Sequence, residues 1–211
     1  MRILGPCALA IATFACAAYG MTETGADSVD PIDAYAPLGL YQLDPGRSAV
    51  TFDVAYFWHS RLTMRFNRMH ARLVGGEDSL ATARVIVTID AASLQASIPL
   101  AARLVEGDAM LDAVHYPTIR FVSTRFFRTG ATTGVLIGNL TIRARTRPVT
   151  LAVKFDQATR DAPAGGPRTL GFSAEGHFSR AAFGLSRWSS AVGDDVHMGI
   201  QAEFVRERAN P

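Results

Sequence analysis

The stretch AVTFDVAYFW, residues 49–58, reads as a single β-strand. Successive strand side chains point to opposite faces, so Val50, Phe52, Val54, Tyr56 and Trp58 form one apolar, aromatic-rich stripe. Ala49, Thr51, Asp53, Ala55 and Phe57 make a mixed opposite face. Such a stripe fills a protein core or lines a cavity, and the two readings lead to different functions.

The same pattern recurs downstream. RLTMRFNRMHARLVG, TARVIVTID, TIRFVSTRFFRT, TTGVLIGNLTIRA, PVTLAVKFDQ, TLGFSAEGHFSR and DVHMGIQAEFVRE complete a set of eight strands, rich in Val, Ile, Thr and Phe. DPGRS, GGEDS and DAPAGGP supply turns between them. One segment breaks the alternation. SLQASIPLAARLVEGDAMLDAVHYP has helix-compatible content around LAARLV, with Pro99 near a helix start and Pro117 closing the segment. Eight strands with a short helical insert between the third and fourth predict an all-β, antiparallel up-and-down barrel. A barrel of that size has an interior that side chains just fill, or that holds one small ligand. Small inward residues such as Ala174, Gly176 and Ala202 leave room among Phe172, Phe178 and Phe204. Alternation alone leaves the dry core and the cavity both open.

The N-terminus reads as an export signal over residues 1–20: Arg2, then an uncharged apolar run, then small residues offering cleavage after Ala18 or Gly20. That predicts a periplasmic protein, the alternative being a membrane anchor with the domain outside the cytoplasm. Residues 21–39 read as an acidic linker, and the barrel domain occupies 40–207. Cys7 and Cys16 both lie in the leader, so the exported domain has no disulfide, thiolate metal site or cysteine nucleophile. A net charge of +2 points to no nucleic-acid partner.

YQLDPGRSAVTFDV, which overlaps the quoted stretch, begins a resemblance that continues through RFNRMHARL, IDAASL, YPTIRFVST, GNLTIRARTRPVTL, GFSAEGHFSRAAFGL and VGDDVHMGIQAEF. Over roughly residues 41–206 the chain resembles the YceI-like family of exported, lipocalin-like barrels that bind polyisoprenoid lipids. The chain departs from the family at Tyr56, often His, at Met64, often Gly, and at Leu104–Glu106 and Met110–Leu111, so the ligand's identity stays open. The resemblance implies an apolar tunnel for a polyisoprenoid, an isoprenoid quinone tail or another long-chain lipid. Its walls are assigned to Phe52, Val54, Tyr56, Trp58, Met64 and Phe66. Leu104, Leu111, Phe121, Ile137, Leu151, Phe172 and Met198 complete them. Tyr56, Asn139 or Ser123 would meet a polar head. A homodimer and transient membrane contact are expected partners, and no cofactor or metal is expected.

Other chemistry is thin. The five histidines show no close metal-ligand spacing, and GDDVH (193–197) reads as a turn whose Asp side chains bond backbone N–H groups. There is no G-x-S-x-G, P-loop or dinucleotide fingerprint, so no catalysis is expected. Arg143, Arg145 and Arg147 read as one solvated face, and Arg180 as a residue holding the AAFGL turn by its backbone carbonyls. Three functions stay in play: a lipid carrier or buffer, a structural barrel with a dry core, and an enzyme on an apolar substrate.

Overall fold

The structure, a computed structural model, describes residues 39–57, 59–75, 82–160 and 167–207. The predicted leader, almost all of the linker and Trp58 lie outside the described residues.

All strands pair antiparallel in one sheet, ordered β1-β4-β5-β7-β8-β9-β10-β11-β2-β3-β6 and closed by a further β1–β11 pairing. The segments are β1 (Leu40–Leu43), β2 (Ala49–Tyr56), β3 (Ser60–Phe66), β4 (Met69–Val74), β5 (Arg84–Asp90) and β6 (Leu94–Ala96). After helix α1 (Pro99–Glu106) come β7 (Thr118–Arg128), β8 (Thr133–Ile142), β9 (Arg145–Arg160), β10 (Pro167–Ser179) and β11 (Val192–Arg206). The eight predicted strands reconcile with these segments through three kinks. β1 and β2 lie end to end along β11, β3 and β4 continue one another, and so do β5 and β6. The result is an eight-stranded up-and-down barrel in which the first three strands are each broken once.

Local hydrogen bonds make the breaks. The Asp44 carboxylate accepts the Gly46 N–H at 2.9 Å and opens the 3-10 turn Pro45–Arg47. Asp90 does the same for the turn Ala91–Ser93, accepting the Ala92 N–H at 2.9 Å. This is the Asx turn that competes with a strand ladder. The third break, at Asn67–Arg68, is stitched to the second: Arg68 Nε donates to Asp90 at 2.8 Å, and the Arg68 N–H donates to Ser93 Oγ at 3.1 Å. RLTMRFNRMHARLVG is therefore two segments rather than one, while β1 and the three-residue β6 are strands that alternation alone does not isolate.

The kinks shape one end of the barrel. β2, β3 and β6 peel away from β5 and β7, and the chain from α1 to Pro117 fills the gap. Pro99 occupies the first turn of α1, where its missing N–H costs nothing. Ala101 and Val105 pack on the core, and Leu94 N–H donates to the Glu106 carboxylate at 3.1 Å, tying the far end of the helix down. Inside, the alternation holds: Val50, Phe52 and Val54 in β2, Val149 and Leu151 in β9, and Val196 and Met198 in β11 are buried together. A second cluster of Tyr41, Ala71, Leu73, Leu170 and Phe204 closes the opposite end.

Candidate functional site

The barrel is not filled. A cavity of about 430 Å³ runs along its axis. Close-packed interiors have few voids larger than a water molecule. The cavity reaches from a mouth at Tyr56, Ile98, Leu104 and Trp188 to a floor at Phe126, Phe155, Phe172 and Phe204. T-shaped ring pairs brace both regions: Phe52 on Phe66 at 5.5 Å above, and Phe155 on Phe172 at 5.6 Å and Phe172 on Phe204 at 6.2 Å below. Two glycines of β8 help keep the lumen open. A Cβ on Gly138 would fall 2.3 Å from the Phe121 ring, and one on Gly134 would fall 2.4 Å from Phe126, so both rings can lie back against the wall.

Eleven of the residues that the sequence reading assigns to the tunnel line this cavity: Phe52, Val54, Tyr56, Met64, Phe66, Leu104, Leu111, Phe121, Leu151, Phe172 and Met198. Trp58 lies outside the described residues. Ile137 is a correction. It is half-buried on the outer face opposite Thr150, and its neighbours Leu136 and Leu140 line the cavity instead. Both faces of β8 are apolar, which blurs the alternation. Asn139, two residues on and on the same side as Ile137, is exposed and marks that side as the outer one. Phe57, Ile98, Leu100 and Trp188 at the mouth are lining residues that the sequence reading does not assign to the tunnel.

The polar groups are mostly committed elsewhere. Asn139 faces outward, and the buried Ser123 hydroxyl accepts the Val85 N–H at 2.8 Å beside a bulge in β7. Tyr56, half-buried, remains at the mouth with its ring 4.5 Å from that of Phe57. Arg180 is 4% exposed and donates to the carbonyls of Gly193 at 2.7 Å, Val192 at 2.7 Å and Arg187 at 2.8 Å, and to that of Leu185. Its guanidinium thus holds the 185–193 loop in place. Burial lowers the Arg180 pKa, with Asp194 acting the other way.

GDDVH is not a turn but part of β11. The Asp194 carboxylate accepts the Ala181 N–H at 2.8 Å and fastens the 3-10 turn Ala181–Phe183. Asp195 meets His177 Nδ1 at 2.9 Å on the outer face, where the His177 and His197 rings stand 4.8 Å apart. Among the described residues no group of three or more His, Cys, Asp or Glu is placed to hold a metal ion. The three arginines do not share a face either. Arg143 sits in the β8–β9 turn with φ of 54°, donates to the Met110 carbonyl at 3.1 Å, and lies 5.4 Å from the Tyr116 ring.

The site is thus an apolar lumen with a partly polar mouth, suited to enclosing a hydrocarbon chain. Comparison with known proteins agrees on the architecture. A UPF0312 protein of Vibrio cholerae is 27% identical over 157 residues, 73% of this chain and 82% of its own length. One from Pseudomonas putida is 26% identical over 170 residues, 80% and 87% of the two chains. Burkholderia cenocepacia BcnA superposes with a TM-score of 0.68 at 23% identity, over 76% of this chain and 98% of its own. A polyisoprenoid-binding domain from Saccharophagus degradans superposes with a TM-score of 0.59 at 12% identity, over 81% of this chain and all of its own. At those identities the two structures speak to the fold. Residues 41–204 match the family model described as YceI-like domain, spanning the barrel from β1 into β11, and the chain belongs to that family.

Proposed function

We propose that the protein binds a long apolar lipid, a polyisoprenoid or an isoprenoid quinone tail, inside the barrel and acts as its carrier or buffer outside the cytoplasm. The observation that carries this reading is the apolar cavity of about 430 Å³ where a dry core would be closed. At about 30 Å³ per water-sized group, that space takes on the order of a dozen methylenes. Each contributes roughly 0.8 kcal/mol on leaving water, about 10 kcal/mol in total. Association costs about 4–15 kcal/mol, so only a ligand that fills most of the lumen binds well, and a long chain is favoured over a short one. The shared fold of the Saccharophagus degradans polyisoprenoid-binding domain supports the ligand class. Binding rather than turnover is proposed, because the lumen offers hydrocarbon contact and its one guanidinium is spent on four carbonyls.

Native mass spectrometry of the protein recovered from expressing cells tests the reading. A stoichiometric adduct, released by organic solvent and identified as an isoprenoid, is the expected result. A bare mass that persists after incubation with polyprenol and with a quinone would refute it and favour the structural barrel.

A further inference from the structure

An apolar cargo that partitions out of water needs a route into the lumen, and the mouth has the composition of a surface that meets a bilayer. Among the described residues seven large apolar side chains are at least 44% exposed: Phe57 (56%), Ile98 (45%), Leu100 (64%) and Leu104 (46%) line the cavity, while Val74, Val114 and Phe127 do not. Four rim residues together form one patch, whereas single exposed apolar residues are ordinary. α1 contributes Leu100 and Leu104, one turn apart and exposed, while Ala101 and Val105 pack inward. Phe57 and Trp188 are held in the left-handed region, with φ of 43° and 55°. Bulky residues rarely adopt that conformation, and the turns they form present aromatic rings at the rim. Aromatic residues at the junction of apolar and wet surface suit a membrane interface.

The charge around this patch is one-sided. Phe57 and segments 59–62, 97–105 and 185–192, which build the rim, contain Arg61, Arg103 and Arg187 and no Asp or Glu. All three arginines are exposed. Of the acids at the end of α1 and in the loop after it, Glu106 accepts the Leu94 N–H, Asp108 accepts the Ala109 N–H, and Asp112 faces His115 and Arg143. The β8–β9 turn brings Arg143 and Arg145 to the same end of the barrel, around a second pocket of about 220 Å³ that Tyr116 also lines.

We propose that the mouth docks on a bilayer surface rich in anionic headgroups, so that apolar cargo passes between membrane and lumen without crossing water. The inference rests on the lipid-carrier reading for its purpose, but the docking face is testable by itself. The rim's apolar residues enter the interface while Arg61, Arg103 and Arg187 meet the headgroups, the two-signal pattern of a reversible peripheral contact.

The test is flotation with vesicles of phosphatidylglycerol and phosphatidylcholine in equal parts, against vesicles of phosphatidylcholine alone. The parent protein should float with the anionic vesicles and release from them as salt rises. The R61E/R103E/R187E variant, which alters no cavity-lining side chain, should lose at least roughly a hundredfold in affinity, about fivefold for each of the three arginine charges removed and more from the repulsion of the carboxylates added. Its circular dichroism and its retention of polyprenol loaded from detergent micelles should match the parent. Equal association of parent and variant, no association of the parent, or a stable dimer that buries the rim would overturn the docking face. Failure of the parent to retain polyprenol from micelles would instead strike the carrier reading, with vesicle association still reporting on the rim.

Discussion

Ala174 offers the most direct test of whether the lumen is a binding cavity. It lies mid-strand in β10, opposite Val153 of β9 and Ile200 of β11, is 8% exposed, and faces the cavity. Replacing it with Phe adds a ring to the lumen. In a close-packed core such an insertion costs about 1–3 kcal/mol or more. In an open apolar cavity it gains roughly 1.5–3 kcal/mol of burial. Rotamer entropy takes back about 1 kcal/mol. The net expectation for Ala174→Phe is about 1 kcal/mol of added stability, a rise in Tm of about 2–4 °C. The ring's six carbons displace about six methylenes of a lipid, or roughly 5 kcal/mol at 0.8 kcal/mol each. At 1.4 kcal/mol per decade that is more than three decades of affinity. A chain that slides toward the mouth recovers part of it, so a loss of at least about a hundredfold is expected. Thermal melts followed by circular dichroism, with polyprenol retention read by native mass spectrometry, give both numbers. A drop in Tm beyond about 6 °C with lipid retention unchanged would refute the argument, because it would mean that the interior is closed and the lipid binds elsewhere.

Two further outcomes concern the scaffold. Arg180→Met leaves the carbonyls of Leu185, Arg187, Val192 and Gly193 without their guanidinium, and since a buried acceptor left unsatisfied costs about 1–3 kcal/mol, a loss of at least about 3 kcal/mol is expected. Arg180→Lys should recover only part, since an ammonium lacks the planar five-donor fork, and a loss below about 1 kcal/mol in urea denaturation for the Met variant would contradict the role. For pH, the Arg68 hydrogen bond holds the Asp90 carboxyl below its ordinary value of 3.8, and hydrogen bonds from Ser179 and the Ala181 N–H do so for Asp194. A depressed carboxyl pKa contributes stability that is present above the ordinary value and lost as pH falls through the folded one. Stability should therefore hold from neutral pH to about pH 5 and decline below about pH 4, with a shallower decline in Asp90→Asn; identical acid profiles for parent and variant would count against the Asp90 part.

Much of the fold is legible in period-2 alternation because a barrel has one inside. β9, β10 and β11 carry their apolar residues on the inward positions and Lys154, Glu175 and His177 on the outward ones, and the structure buries the first set and exposes the second. β8 is harder, since Val135 and Ile137 oppose Leu136 and Leu140, and the exposed Asn139 is its main polar mark. The kinks are legible only in part. DPGRS is a plain turn signal, but IDAASL hides an equivalent Asx turn among strand-forming residues, and the short β6 behind it follows from pairing with β3 rather than from its own composition. The rim is least legible. The left-handed conformations of Phe57 and Trp188 have no glycine to announce them; Phe57 N–H donates across the mouth to the Ala191 carbonyl at 2.9 Å, and a local turn bond from Val192 N–H to the Trp188 carbonyl at 2.8 Å closes the other.

These bonds connect the kinks to the mouth. A barrel of eight unbroken strands would be sealed by its own ladders along the full height. Here Asp44, Asp90 and the Arg68–Ser93 stitch end the ladders early, and the upper halves β2, β3 and β6 leave the cylinder. The gap this opens exposes strand edges that need a cover, and α1 with the following loop supplies one built from a single helix of eight residues. None of its residues is fully buried, and it is held at its far end by Glu106. Opposite it stands the 185–193 loop, held by Arg180 from below. The mouth therefore has one side anchored by a buried guanidinium and another resting on a lightly packed helix. Regions with few buried apolar contacts open at lower free energy than the core. The amides of α1 should therefore exchange hydrogen faster than those of the loop that Arg180 holds, and equal protection of the two in a hydrogen-exchange measurement would refute this ordering.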